Sequence, residues 1–314
     1  MYQTFNLLFG FILVLSFFSF ERQCWAAACC ARNSATPSLI VGDDEAQINF
    51  GVAFGNSVAR TMSNGVTVFN PSNVSDMSRN FRIDGAMLLS DRLQVGAGGS
   101  VVQREVVHAA TAESAIGIGD ARMSVAYEIL PIWNYSSWKP QAYLFSGVTL
   151  PSGRSIYESQ NNTRSDVTGN GFYTFSLGSL WIKRWTVWDV FLLPEIHYSL
   201  SRTFDYFGDS IGVSPGLGGS VGLGFGFSPG GGNTRLGLRV QPRMDQPRSF
   251  SDQALMPSEQ SHAMSCDVGL DLSYLLGTTD TMMLSYTDQT WVGPSKNTNL
   301  TRNFALSFQH RWER

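Results

Sequence analysis

Charge is what this sequence has least of. Lys, Arg, Asp and Glu together make up 15% of its 314 residues, against about 25% in an ordinary soluble domain. The net charge is −3, so the composition offers no basic surface for nucleic acid or an anionic membrane, and no nucleic-acid partner is expected. Long apolar runs are missing as well. Leu7 to Phe18 is the longest, 12 residues, and a spanning helix needs roughly 20. Cysteine is scarce: Cys24, Cys29, Cys30 and Cys266. A bridge between the neighbours Cys29 and Cys30 is strained. With no CxxC or His pair beside them, the four make neither a disulfide framework nor a zinc site. No metal and no cofactor is expected. The Gly-rich run PGLGGSVGLGFGFSPGGGN has no Gly-Lys-Ser/Thr after it and opens no helix, which excludes a phosphate loop; GVTLPSGR lacks that spacing too.

The short apolar run has a different use. Small residues follow it at Ala26, Ala27 and Ala28, the pattern of an export signal over 1–28 cut before Cys29. The leading residues MYQTFN lack the usual Lys or Arg. A lipoprotein signal ending at Cys29 is the competing reading, opposed by Glu21 and Arg22 between the run and the cysteine. The expected organisation is a signal peptide over 1–28, a short periplasmic segment over 29–44 and one domain over 45–314.

What that domain has is alternation with period two, which places successive side chains on opposite faces of a strand. In the last segment Phe304, Leu306, Phe308 and Trp312 share one face, and Asn303, Ala305, Ser307, Gln309 and Arg311 the other. Leu236, Leu238, Val240 and Pro242 likewise oppose Arg235, Gly237, Arg239, Gln241 and Arg243. About twelve such segments run near 45–58, 79–90, 92–106, 117–129, 139–150, 170–182, 187–203, 215–228, 233–243, 261–276, 281–292 and 298–312. They exceed the five or six residues of a soluble sandwich strand and suit a tilted membrane strand of roughly 9–11. Long polar links alternate with short turns, with a short final link near 293–297 as the exception. The fold class implied is all-β: a transmembrane, antiparallel, up-and-down β-barrel of about twelve strands in a Gram-negative outer membrane, with both termini on the periplasmic, short-turn rim. Six of the eight Trp support that orientation. Trp133, Trp138, Trp181, Trp185, Trp188 and Trp312 mark the short-turn rim, where an indole ring meets lipid and its N–H meets water. Lys139, Lys183 and Arg184 are placed to snorkel there.

Parity then assigns the inner face. Arg82, Asp84, Asp120, Arg122, Glu128, Asp189, Glu195, His197, Arg235, Arg239, Asp267 and Asp271 point into the lumen, since Arg or Lys facing lipid at the midplane costs about 2–4 kcal/mol. They form either a polar pore wall that contacts solute or a set of mutually paired charges filling the bore, with Arg235 and Arg239 against Asp267 and Asp271. His197 and Ser199, two apart on one strand, match the His-x-Ser pair of a twelve-stranded outer-membrane phospholipase. Parity sends both inward, Leu-Ser-Arg follows in place of Asn-Gly, and no orienting group stands at a suitable spacing. The protein is read as no enzyme, with no catalytic residue. Gly216, Gly218, Gly222, Gly224 and Gly226 line one strand face and leave a smooth or closely approached inner wall.

Three short pieces carry a resemblance: GIGD (Gly117–Asp120), GVTLPSG (Gly147–Gly153) and TGNG (Thr168–Gly171). Over about 117–200 the chain resembles the outer-membrane family named for the meta-pathway of phenol degradation. That family consists of barrels held to carry hydrophobic or aromatic compounds. The resemblance implies passive passage of small solutes, hydrophobic or aromatic ones among them, with outer-membrane lipid and the barrel-assembly machinery as further partners. The alternatives are a structural or surface-interaction barrel with a closed lumen and, third, a lipid hydrolase at His197 and Ser199. Glu313 and Arg314 after Trp312 depart from the usual terminal aromatic.

Overall fold

In hydrocarbon an unpaired strand edge leaves its N–H and C=O groups without partners, so a spanning sheet must close. This chain closes. In the computed structural model, which describes residues 38–108, 111–132, 136–206, 209–251 and 261–314, twelve strands pair in chain order around one barrel. They are β1 (Asp44–Thr61), β3 (Val74–Leu88), β4 (Leu93–His108), β6 (Ala121–Leu130), β7 (Gln141–Leu150), β8 (Thr174–Arg184), β9 (Trp188–Ser199), β12 (Gly216–Phe227), β13 (Thr234–Asp245), β15 (Ala263–Leu276), β16 (Asp280–Asp288) and β17 (Thr298–Glu313). All neighbours are antiparallel, and β1 meets β17 from Asp44↔Glu313 to Thr61↔Thr298. The fold is the all-β, up-and-down transmembrane barrel of twelve strands that the alternation implies. The segment 1–28, Cys24, Cys29, Cys30 and Trp133 lie outside the described residues.

The alternation decides which face meets lipid. Phe304, Leu306 and Phe308 on β17 are exposed, while Ala305 and Ser307 between them are buried. The same division holds on β12, where Leu217, Val221, Leu223 and Phe225 are exposed. A soluble protein rarely shows so much contiguous apolar surface; a belt around a barrel is what lipid requires.

Five further strands are not expected from periodicity. β2 (Thr67–Phe69) is a short hairpin return on β1. β5 (Thr111–Ile118) occupies what reads as a link and pairs with β4 from Val101↔Ile118 to His108↔Thr111. Past the membrane no lipid face is needed, so the apolar alternation fades while backbone pairing continues. Between β5 and β6 the register against β4 slips by one residue at Gly119–Asp120, a β-bulge. β10 (Arg202–Tyr206), β11 (Asp209–Ser214) and β14 (Ser249–Phe250) form a small sheet from the loops after β9 and β13. A 3₁₀ turn, Pro229–Gly231, closes β12 to β13. The connection 131–140 is longer than the other links on its rim.

Pro194 and Pro242 lack the N–H a ladder needs. Pairing between β8 and β9 skips from Gly178↔Glu195 to Trp181↔Leu192, and between β12 and β13 from Ser220↔Arg243 to Leu223↔Val240.

At the short-turn rim Trp138, Trp185, Trp188 and Trp312 are exposed. Lys183 Nζ donates to the carbonyls of Ser136 and Lys139 (2.6 and 3.0 Å) and fastens the 131–140 connection. Arg184 does not snorkel. It shares the inner face with Leu180 and Ile182, and its two Nη atoms are buried.

Candidate functional site

The inner wall is shaped by missing side chains. On β12 the inward positions are Gly216, Gly218, Ser220, Gly222, Gly224 and Gly226, and side chains from β9 and β13 meet across this trough. Arg235 on β13 donates through Nε and Nη2 to both oxygens of Asp189 on β9, 2.6 Å each. The pair lies over Gly226, where a Cβ would collide with both partners. His197 Nε2 meets Asp245 Oδ1 at 2.8 Å over Gly218. The ring of Phe191 covers Gly224. The glycines are thus required by close approach of neighbours and do not make the wall smooth.

One end of the bore is stoppered from within. Residues 38–43 turn inward ahead of β1, with Leu39, Ile40 and Val41 almost fully buried. Gln94 on β4 holds both backbone groups of Ile40: its Oε1 accepts from Ile40 N–H at 2.6 Å and its Nε2 donates to Ile40 C=O at 3.2 Å. Gln47 Nε2 donates to the carbonyl of Leu39 at 2.9 Å. Leu39 and Val41 then join an apolar cluster with Ala126, Tyr143, Phe145, Leu180, Ile182, Phe191 and Leu193. Where this cluster lies on β7, β8 and β9, both faces are therefore apolar, one toward lipid and one toward this segment.

At the other end the loop 151–173 folds inward against the wall, and the three resemblance motifs meet to hold it. Asp120 accepts from the N–H of Gly153 (3.1 Å) and of Asn170 (2.7 Å). Ser152 Oγ donates to Gly119 C=O and Thr168 Oγ1 to Ile118 C=O. Gly153 and Gly169 touch, with no room for a Cβ on either. Further out, Glu113 on β5 accepts from Thr163 N–H and hydroxyl, and Arg202 on β10 donates to Glu158 at 2.9 Å. Tyr157 and Phe172 of this loop form a small core with Phe204, Ile211 and Val213 of the β10–β11 hairpin. Within the loop Asp166 is nearly buried, which alone would raise its pKa. Donors from Gln160 N–H, the Ser159 hydroxyl and Arg154 outweigh burial and hold the group at about 2.

The inward residues named from parity do not form one site. Asp189 and Arg235 pair near the short-turn end. Arg82 and Asp84 form an ion pair beside Arg122 in a recess of the opposite wall. Glu195 Oε1 lies 3.6 Å from His197 Nδ1, too long for a hydrogen bond. Glu128 accepts from Gln141 at 2.8 Å, Asp267 from Gln289 at 2.6 Å, and Arg239 reaches Thr287 Oγ1 at 3.3 Å. Asp271 stands opposite Gly237 in the β13–β15 ladder. Asp120 holds the inward loop. Ser199 Oγ pairs with Thr174 Oγ1 at 2.8 Å and His197 with Asp245, so those two side chains are engaged separately. Gln47, Gln94 and the apolar inner cluster escape a reading that looks only for charge. The signal for the cluster was Tyr143 and Phe145 sharing the parity of Gly147 and Thr149.

No model of a known protein family matches the chain, and no curated protein does. Solved structures do. The CymD monoaromatic hydrocarbon channel superposes with a TM-score of 0.42 at 11% identity, over 87% of this chain and 90% of its own. The NanC porin gives 0.47 at 9%, over 83% and 98%. Both likenesses are too loose to carry an argument. A crystal structure of an outer membrane channel from Pseudomonas putida has a TM-score of 0.64 at 12% identity, over 90% of this chain and all of that one (100%). At that identity the likeness shows the fold, a closed twelve-stranded outer-membrane barrel.

Proposed function

We propose that the protein is a channel of the outer membrane that passes small solutes by diffusion, held closed at rest by its N-terminal segment and its inward loop. One observation carries this. Buried polar groups in a packed protein nearly always find partners. Along this inner wall Asn49 Oδ1, Asn80 Oδ1, Gln241 Oε1 and Ser273 Oγ find no hydrogen-bond partner within the protein. Such groups need water or solute, so the wall suits a wetted path and not a solid plug. The fold it shares with an outer membrane channel supports the same reading. The resemblance to the phenol meta-pathway family and the apolar inner cluster support hydrophobic or aromatic solutes as a class. Both termini would then face the periplasm, with insertion by the barrel-assembly machinery.

A second reading is a structural or surface-interaction barrel, favoured by the two elements that occupy the bore. Single-channel recording on refolded protein separates them. Discrete conductance steps, larger once Gln94 is replaced, are expected of a channel. Silence at every voltage, together with unimpaired solute uptake in a deletion strain, would leave the structural barrel.

A further inference from the structure

The outer surface of a closed barrel is convex, yet this one is hollowed across β8, β9, β12 and β13. The hollow measures about 450 Å³. Outward residues line it: Trp181 on β8, Leu192 on β9, Leu223 and Phe225 on β12, Leu238 and Val240 on β13. Toward the long loops it ends where the ladders resume after their gaps, at Trp181↔Leu192 and Leu223↔Val240. Toward the short-turn rim Trp188 stacks on Phe225 and Phe227, with ring centroids 5.0 and 4.3 Å apart. Pro140 adds a third side. It ends the long connection 131–140, which two residues of β8 and its turn hold along the rim. Trp185 Nε1 donates to Ser137 C=O at 3.2 Å, and Lys183 Nζ to Ser136 and Lys139. The inner side is shut. The β9–β12 ladder is unbroken from Gly216↔Ser199 to Phe227↔Trp188, and Phe191 lies across Gly224 behind it. The hollow therefore opens to the membrane and not to the bore.

Two properties decide the occupant. The first is the apolar lining, set in a belt that faces hydrocarbon. Water finds no polar partners in such a place, and an unfilled hollow forfeits dispersion contacts. A hydrocarbon chain fills it. The second is positive charge at the rim end, where Lys183 also lines the hollow. Both of its hydrogen bonds go to neutral carbonyls, and among the described residues no carboxylate pairs with its ammonium. Lys139, whose carbonyl it holds, is exposed. An apolar hollow with an ammonium at the membrane interface matches a lipid whose head group carries a phosphate.

We propose that this hollow binds one phospholipid, its acyl chain along Leu192, Leu223 and Phe225 and its phosphate at Lys183. The proposal rests on the short-turn rim facing the periplasm, where the membrane leaflet is phospholipid. It does not need an open bore, so a barrel that passes no solute leaves it standing.

The test uses the refolded full barrel in detergent. The probes are dioleoylphosphatidylglycerol and dioleoylglycerol, which has the same chains and no phosphate. Native mass spectrometry counts the lipid bound. One phosphatidylglycerol per barrel is expected, with dioleoylglycerol held more weakly. Lys183→Gln is expected to weaken phosphatidylglycerol about five-fold and to leave dioleoylglycerol unchanged, which separates loss of charge from loss of shape. Lys183→Arg keeps the charge and should restore the affinity. Leu192→Trp fills the hollow and should displace both lipids. Leu306→Trp, on the belt of β17 across the ring of strands, should displace neither. Heat-modifiable gel mobility confirms that each variant has closed its barrel. Phosphatidylglycerol retention unchanged in either Lys183→Gln or Leu192→Trp overturns the proposal. Lipid A bound in preference to phosphatidylglycerol would put the outer leaflet at this rim and overturn the phospholipid assignment. A dimer of the chain that Leu192→Trp dissociates would make the hollow an interface between copies and overturn it as well.

Discussion

Glycine at an inward position of β12 serves as a crossing point. The Asp189–Arg235 pair spans the strand between its two owners only because Gly226 has no Cβ. Gly226→Ala is expected to cost about 1–3 kcal/mol through displacement of that pair. Asp189→Asn is expected to cost more, about 3–5 kcal/mol, because it removes the carboxylate charge that the buried Arg235 fork grips. Urea unfolding of the barrel in lipid vesicles reads both, and midpoints equal to wild type would show that the bridge is dispensable. Asp120 is a second such residue. Asp120→Ala leaves two loop N–H groups without their acceptor, at about 1–3 kcal/mol where they stay buried. Trypsin should then cut after Arg154 or Arg164 at least ten times faster, while the strands stay protected. An unchanged rate would mean that other contacts suffice to hold the loop.

At the scale of the element, two segments narrow the bore and each has its own release. The loop 151–173 depends on the ionised form of Asp166, held at about 2 against an ordinary value of 3.8. A depressed carboxylate stabilises the fold fully above its unfolded pKa and progressively less as pH falls through the folded one. The loop should therefore stay closed at neutral pH and loosen between about pH 4 and pH 2. Conductance noise recorded across that range checks it, and Asp166→Asn should show the acid behaviour at pH 7 already. The N-terminal segment hangs on the Gln94 amide, which satisfies both backbone groups of Ile40 as a neighbouring strand would. Gln94→Leu removes both bonds and is expected to raise the open fraction and lift mean conductance several-fold. Equal conductance would show that Leu39 and Val41 seat the segment by packing alone.

The whole molecule has two surroundings to satisfy, lipid outside and, on the proposed channel reading, a partly wet interior. Leu238, exposed on the belt near the middle of β13, tests the outer one. Leu238→Arg is expected to destabilise the inserted barrel by about 2–4 kcal/mol. Its neighbour Arg239 has the same charge on the inner face without that penalty. Equilibrium unfolding in vesicles measures the difference, and no loss at Leu238→Arg would mean that this face does not meet hydrocarbon.

The sequence by itself determined the barrel, because alternation is a local property: Phe304 and Ala305 take opposite faces wherever β17 lies. Parity also puts Asp84, Glu195, Arg235 and Arg239 on a face that is buried, but it left Arg184 at the lipid rim, where the chain does not keep it. Partners were another matter. The fork of Arg235 closes on Asp189, 46 residues away and two strands over, because strand order and register set them at one height. GIGD, PSG and TGNG look like separate turn motifs in the chain, yet register brings them together as one latch around Asp120. The inward course of residues 38–43 depends on an apolar cluster drawn from four strands. Periodicity along a chain fixes the face a side chain takes. Only closure of the sheet fixes what stands opposite it, and so what the lumen can hold.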